Sequence, residues 1–379
     1  MLFRSMGIKS NRDDWIFNYS KSNLARTIQS MISFYNSEVI RFSKSGLNGG
    51  AESFVSREKT KIKWTSDVLN DLSKGRYHKY QQQDLRISHY RPFSKCWSYA
   101  NKTWNWTRHL MPSFFPSDKA SNLVICVTGT GVSKDFSVII SNIIPEFQLL
   151  ANSQCYPLYI YDEDGYNKRD AITDDGYTHF KTAYPSEQFS KEDIFYYIYG
   201  LLHSEDYRTH YADNLSKELP RIPRVKKAED FWEFSRAGRA LAELHLNYET
   251  VPPYPATLDS SATEDSHYHV VKMKHPKVKV DGKSVNDKTT IIYNGRITIK
   301  EIPEDAYRYV VNGKPAIDWV MERQCVKTDK DSGIVNDANL WARETMNNPK
   351  YPFELVLRVI TVSLETMKIV DALPALKLE

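Results

Sequence analysis

YIYGLLHSEDYRTHYADNLSKELPRIP, Tyr197 to Pro223, reads as a helix that turns sharply into a second helix and leaves through a stiff, basic exit. The aromatic and leucine positions of its first part predict packing against a sheet, which makes the stretch scaffold. The exit continues as RIPRVKK, Arg221 to Lys227, with Pro223 set between cations and Pro220 just before them. Because each proline fixes φ, this segment suits a strap held along a surface.

Outward from that stretch, the upstream chain changes to β character from about Arg86. RISHYRPFSKCWSYA, NLVICVTGTG, FSVIISN and CYPLYIYDE are short runs of Val, Ile and aromatics separated by Gly, Asn, Pro and Ser. DEDGYNKRDAITDDG, Asp162 to Gly176, reads as a solvated loop. Helices are predicted over 191–203, 205–217 and 228–248, the last broken by VPPYP. Nearer the start, Leu24, Ile28, Met31, Ile32 and Tyr35 recur at helical spacing over 22–42, after Ser22, with Gly46 to Gly50 as the stop. KWTSDVLNDLSKG gives a second helix ended by Gly75.

The last third alternates apolar and polar residues in HYHVVKMKHPKVKVDGKS, TTIIYNGRITIK and AYRYVVNGK, with Asn294–Gly295 as a hairpin turn. Helices around 316–324, 337–346 and 353–370 close the chain. The expectation is an α+β fold of mixed helices and predominantly antiparallel sheets in two lobes. Its divisions are a helical segment over 1–80, a first α/β lobe with a basic, aromatic sheet over 81–227, and a second α+β lobe over 228–379.

A chain of 379 residues, 41% hydrophobic and 26% charged, has the composition of a folded protein with room for two cores. No apolar run approaches a membrane span and the start lacks a secretory core, so no membrane partner and a cytoplasmic location are expected. Cys96, Cys126, Cys155 and Cys325 stand apart without a CxxC pair, which predicts reduced, packed thiols and neither zinc nor a disulfide framework. Leu378 and Glu379 are given no structural meaning.

The net charge of +4 is unevenly spread: Arg57 to Arg108 holds 12 Lys and Arg against four acids, so this segment carries +8. Trp64, Trp97, Trp104 and Trp106 lie within it, with Tyr77, Tyr80, Tyr90 and Tyr99. Cations among flat rings suit a nucleic-acid surface, where the cations meet phosphates and the rings meet sugars or bases. The plainer alternative is a half-buried sheet edged by snorkelling lysines.

Catalytic constellations are not found. VPPYP, Val251 to Pro255, is similar to the loop with which amino-methyltransferases hold a flipped base, but its first residue must accept a hydrogen bond and Val251 cannot, leaving a rigid turn. VTGTGVS, Val127 to Ser133, is followed by another strand and reads as a hairpin turn rather than a nucleotide loop. His267 and His269 share one side of an expected strand without a third ligand, and His203 and His210 share a helical face without a carboxylate partner. The chain is therefore read as having no catalytic, cofactor-binding or metal-binding residues.

The opening stretch, however, resembles the helix and basic exit of the C-terminal specificity region of type ISP restriction-modification enzymes. GIKSNRDDWIFNYSKSNL, YRPF at Tyr90 to Phe93, QCYPLYIYDED, YVVNGKPAIDWVMERQCVKTDKDSGIVND and FELVLRVITVSLETMKIVDALP resemble that region in the same order, from Met6 to Pro374. Such enzymes join a nuclease, an ATP-driven translocase, an adenine methyltransferase and a domain that reads the recognition sequence. The resemblance covers the last of these, and implies a target-recognition domain for double-stranded DNA. Its other partners would be the methyltransferase and helicase/nuclease domains of the same enzyme. S-adenosylmethionine, ATP and Mg²⁺ are expected only in those upstream domains.

On this reading, affinity comes from phosphate neutralisation and sequence from a few side chains at base edges. Candidate contacts are Arg76, Lys79, Arg86, Arg91, Lys95, Lys102 and Arg108 in the +8 segment, and Arg221, Arg224, Lys226 and Lys227 in the exit. Lys274, Lys277 and Lys279 join them from HPKVKVDGK. Arg91 has a competing expectation, burial in a carboxylate pair. The alternative function is an assembly module docking onto the other domains of such an enzyme.

Overall fold

The computed structural model describes residues 3–47 and 50–378; Asn48 and Gly49 of the expected helix stop, and Glu379, lie outside the described residues. The class is α+β. Two four-stranded sheets organise the first half. In one, Ser5–Met6, Gln154–Pro157, Val124–Val127 and Val138–Ser141 follow in that order; in the other, Phe17–Asn18, Ser94–Tyr99, Leu85–Arg91 and Ile144–Pro145 do. Pairing is antiparallel except between Leu85–Arg91 and Ile144–Pro145. The chain crosses between sheets after Ser141, where the Ser141 hydroxyl donates to Ile143 O at 2.8 Å.

The helix Lys191–His203 starts on a capping box, with Ser190 and Asp193 each accepting from the other's backbone N–H. Every residue from Ile194 to His203 is buried. The sharp turn is Ser204, whose extended ψ of 127° ends this helix while its hydroxyl accepts from Tyr207 N and caps the next, Glu205–His210. The expected single helix over 205–217 is thus two, Glu205–His210 and Ala212–Leu215. His203 is buried and His210 exposed, so the two histidines do not share a helical face.

Lys191–His203 packs against Ala228–Leu246 at a pair of glycines. A Cβ on Gly200 would stand 2.2 Å from Phe234 O, and one on Gly238 would collide with Tyr196 O. Only hydrogens fit at this crossing, so the two backbones touch. Three tyrosine hydroxyls then hold the exit: Tyr207 donates to Arg221 O at 2.7 Å, Tyr197 to Pro223 O at 2.7 Å, and Tyr184 to Val225 O. Val225 is buried and pairs with Leu378, and Lys226 N–H donates to Lys377 O at 2.7 Å. Leu378 is therefore part of the fold, contrary to the expectation for the terminus.

Two buried clusters form the interior. One joins the N-terminal helix Lys21–Lys44, the Leu85–Tyr99 strands and the C-terminal third; the other is built from the Val124–Ser141 strands and the helices from Asp174 to Leu246. Several local expectations are corrected. Ser20, not Ser22, caps Lys21–Lys44. The Asp162–Gly176 loop contains the strand Lys168–Asp170, paired with Tyr159–Tyr161, and the start of the helix Asp174–Ala183. His267 lies in a 3-10 turn, Asp265–Tyr268, rather than a strand. Cys126 and Cys155 are directly opposite across two strands, with Sγ atoms 3.7 Å apart, although 29 residues separate them.

VPPYP is a turn pinned to the long helix Tyr351–Asp371: Arg358 Nε donates to Val251 O at 3.1 Å and Thr361 Oγ1 to Pro252 O at 2.9 Å. Among the described residues, no helix is long and apolar enough to cross a membrane.

Candidate nucleic-acid interface

The structure divides the sequence-predicted cations other than Lys79 into four environments. Arg91 and Lys95 point inward, each paired with carboxylates of the protein. Arg91 Nη1 lies 2.5 Å from Glu146 Oε2 and Nη2 lies 3.4 Å from Asp13 Oδ2, with the side chain only 12% exposed. Its guanidinium also stands over the Tyr90 ring, 4.0 Å from the centroid. Burial works against this charge, yet Tyr90, Glu146 and Asp13 outweigh it and hold Arg91 protonated beyond its ordinary range. Lys95 Nζ lies 2.6 Å from Glu249 Oε2, and the other oxygen of Glu249 accepts from Tyr351 Oη at 2.5 Å. Both cations join segments of the fold, because their strands are sandwiched between the N-terminal segment and the C-terminal third.

Arg86 is half-buried and donates to Ser117 O, and burial lowers its pKa. Together with Arg108, Asp84 and Asp118 it lines a cavity of about 280 Å³. Arg108 also faces a second, more open cleft of about 670 Å³, which brings it beside Arg76, Lys102 and Trp106. Trp106 is 44% exposed, whereas Trp104 is buried and Trp64 and Trp97 spend their indole N–H groups on Ser56 O and Thr345 Oγ1. Arg76 is 58% exposed and tied to Asp71 at 2.8 Å. Of the aromatic set in the +8 segment, Trp106 and Tyr77 are the exposed members. Arg76, Lys102, Arg108 and Trp106 thus share a cleft of mixed charge, with Lys79 exposed at a separate position.

The third environment is the strap. Lys226 and Lys227 are exposed, Arg221 pairs with Glu218 at 2.9 Å, and Arg224 donates to His179 O at 2.8 Å. With its carbonyls fixed by tyrosines, the strap holds these cations at a constant spacing.

The fourth is a β-ribbon within HYHVVKMKHPKVKVDGKS, whose alternation marked β character in the sequence. Lys277–Val280 and Lys283–Asn286 pair antiparallel through Asp281–Gly282, at φ 50° and 76°. Positive φ at both turn residues is what a two-residue hairpin needs, and glycine adopts it without cost. All eight strand residues are exposed. At the foot of the ribbon, a concavity of about 570 Å³ gathers Lys272, Lys274, His267, His269, Asn294 and Arg296. Arg296 was missed by sequence reasoning; the Asn294–Gly295 turn next to it was the available signal. Among the described residues, no group of three His, Cys, Asp or Glu is placed to hold a metal ion.

Exposed cations on a strap, a cleft and a projecting ribbon, all fixed by an α+β scaffold, define a recognition domain. The chain belongs to the Type ISP C-terminal specificity domain family, whose model matches residues 1–355. It is similar in structure to a nuclease-deletion mutant of the Type ISP restriction-modification enzyme LlaGI, solved with a DNA substrate mimic (36% identity, TM-score 0.87, 100% of this chain and 33% of that one). It is also similar to the ATP-dependent Type ISP enzyme LlaBIII bound to DNA (34% identity, TM-score 0.85, 99% of this chain and 24% of that one). DrdV, solved in complex with DNA, is 31% identical with a TM-score of 0.83 over 99% of this chain and 36% of that one. The chain therefore spans between about a quarter and about a third of these proteins. No curated relative matches it.

Proposed function

We propose that this chain is the sequence-specific DNA-binding target-recognition domain of a restriction-modification enzyme. It directs an adenine methyltransferase and an ATP-dependent translocase and nuclease, carried on other domains, to their site. S-adenosylmethionine, ATP and Mg²⁺ belong to those domains on this reading. The observation that carries it is the match of the whole chain to one part of three larger proteins, each solved with DNA or a DNA mimic. The exposed lysines and arginines supply the physical means, since releasing phosphate counterions gives affinity that any duplex can share.

The test is fluorescence anisotropy of the 379-residue chain with duplex DNA at several salt concentrations. Binding that weakens linearly in log salt supports the reading, and absence of duplex binding at low salt overturns it. A docking role onto neighbouring domains is favoured by one feature, an apolar cleft of about 660 Å³ between Asp174–Ala183, Lys191–His203 and the strap. Its lining includes Ile172, Phe180, Ile194, Ile198, Leu219 and Ile222. Substitution of the half-buried Leu219 by Asp should leave duplex binding unchanged while weakening association with the separately produced methyltransferase domain.

A further inference from the structure

From the geometry of the ribbon Lys277–Asn286 we infer that it is the base-reading element of this domain, inserted in the major groove with Lys277, Lys279, Ser284 and Asn286 facing purine edges. This rests on the DNA-binding reading above and goes beyond it by naming the element and face that discriminate sequence.

The pairing register sets which residues share a face. Lys277 lies opposite Asn286 and Lys279 opposite Ser284, while Val278 lies opposite Val285 and Val280 opposite Lys283. Because side chains alternate along a strand, Lys277, Lys279, Ser284 and Asn286 form one face and the three valines with Lys283 form the other. Among the described residues Lys277, Lys279 and Lys283 make no ion pair, and the side chains of Ser284 and Asn286 have no hydrogen-bond partner. These groups differ from Arg91 and Lys95, whose partners lie within the protein. Four residues per strand at about 3.3 Å each project about 13 Å, enough to cross a groove about 8.5 Å deep. A groove about 12 Å wide admits two strands side by side.

The polar face has the chemistry of base readout. An asparagine amide pairs with adenine N6 and N7, a lysine donates to guanine O6 and N7, and a serine hydroxyl serves either. The valines instead provide the β-branched packing that keeps a short ribbon extended. The ribbon is also held at a fixed angle. Lys274 and Ile292 exchange backbone bonds of 3.1 and 2.8 Å, Asp287 N–H donates to Pro276 O at 2.9 Å, and Lys288 and His275 both reach Asp318 on the helix Ala316–Arg323. The concavity at its foot, with Lys272, Lys274 and Arg296, lies where a groove-inserted ribbon would meet the flanking phosphates.

The test selects bound sequences from a duplex pool with a randomised centre, using the full 379-residue chain and its variants. Asn286→Ala and Lys279→Ala should each relax preference at one position, by about 5- to 150-fold against the mismatched bases. Lys274→Ala and Arg296→Ala should weaken all duplexes evenly and leave the selected sequence unchanged. Because the ribbon residues are exposed, melting temperatures should not move. An unchanged selection with Asn286→Ala, Lys279→Ala and Ser284→Ala, or a preference that shifts with Val280→Thr instead, overturns the inference and leaves the DNA reading standing. Failure of the unaltered chain to bind any duplex overturns both.

Discussion

Arg91 and Glu146 face each other across the interior, Nη1 to Oε2 at 2.5 Å, and the carboxylate is 2% exposed. The pair joins the strand Leu85–Arg91 to the segment that follows Ile144–Pro145, and Glu146 Oε2 also accepts from Gln148 N–H at 2.6 Å. Arg91→Ala leaves a buried charge without its counter-ion, so it should cost about 3–5 kcal/mol of stability. Urea denaturation gives that cost directly. Duplex affinity, measured well below the denaturation midpoint, should be unchanged, and a selective loss of affinity with normal stability would place Arg91 on the DNA after all.

The glycine crossing gives a second prediction. Gly238→Ala puts a methyl group against Tyr196 O, with Gly200 N only 2.7 Å away, so the helices Lys191–His203 and Ala228–Leu246 must separate. The cost should be about 3 kcal/mol or more. Alanine is otherwise the better helix former by about 1 kcal/mol, so a gain in melting temperature would mean that the crossing is looser than described.

Salt dependence distinguishes the candidate surfaces. If Lys226 and Lys227 each neutralise a phosphate, replacing both by Ala should make the slope of log affinity against log salt shallower by about 1.8 units. The same change is expected for the pair Lys102 and Arg108 in the Trp106 cleft. Anisotropy titrations on specific and nonspecific duplexes should show equal losses for each pair. A pair whose removal leaves the slope unchanged lies off the DNA path.

Acid should destabilise the domain through its buried histidines. His245 accepts or donates with Tyr199 Oη at 2.6 Å and Thr366 Oγ1 at 2.9 Å, and burial pushes its pKa down from 6.5 to about 3. His89 is likewise lowered to about 3, chiefly by burial and then by Lys95. The unfolded chain binds protons on these histidines below pH 6.5 that the folded chain refuses until about pH 3, so their contribution to stability is complete above pH 6.5 and is lost as pH falls. Each histidine contributes about 1.4 kcal/mol per pH unit within that window. Melting curves from neutral to acid pH should therefore shift downward, and His245→Gln should make the shift smaller. An equal slope in that variant would remove His245 as a source of the acid lability.

The sequence by itself determined the longer elements and the fold class. Helical spacing placed Lys21–Lys44, Ala228–Leu246 and Tyr351–Asp371, and β-branched runs placed Val124–Val127 and Val138–Ser141, because local periodicity already encodes which side of an element is buried. The aromatic helix from Tyr197 was legible as scaffold, the basic exit around Pro223 as a strap, and the order of segments as the specificity family. Which cations face outward was decided only by tertiary structure. Arg91 meets a partner 55 residues away and Lys95 one 154 residues away, while Lys277 and Lys279 are exposed on a ribbon. A lysine or arginine carries the same charge at every one of these positions; whether that charge is spent inside the protein or left for a phosphate or a base depends on which distant carboxylate the fold brings within reach, and local pattern holds no record of that distance.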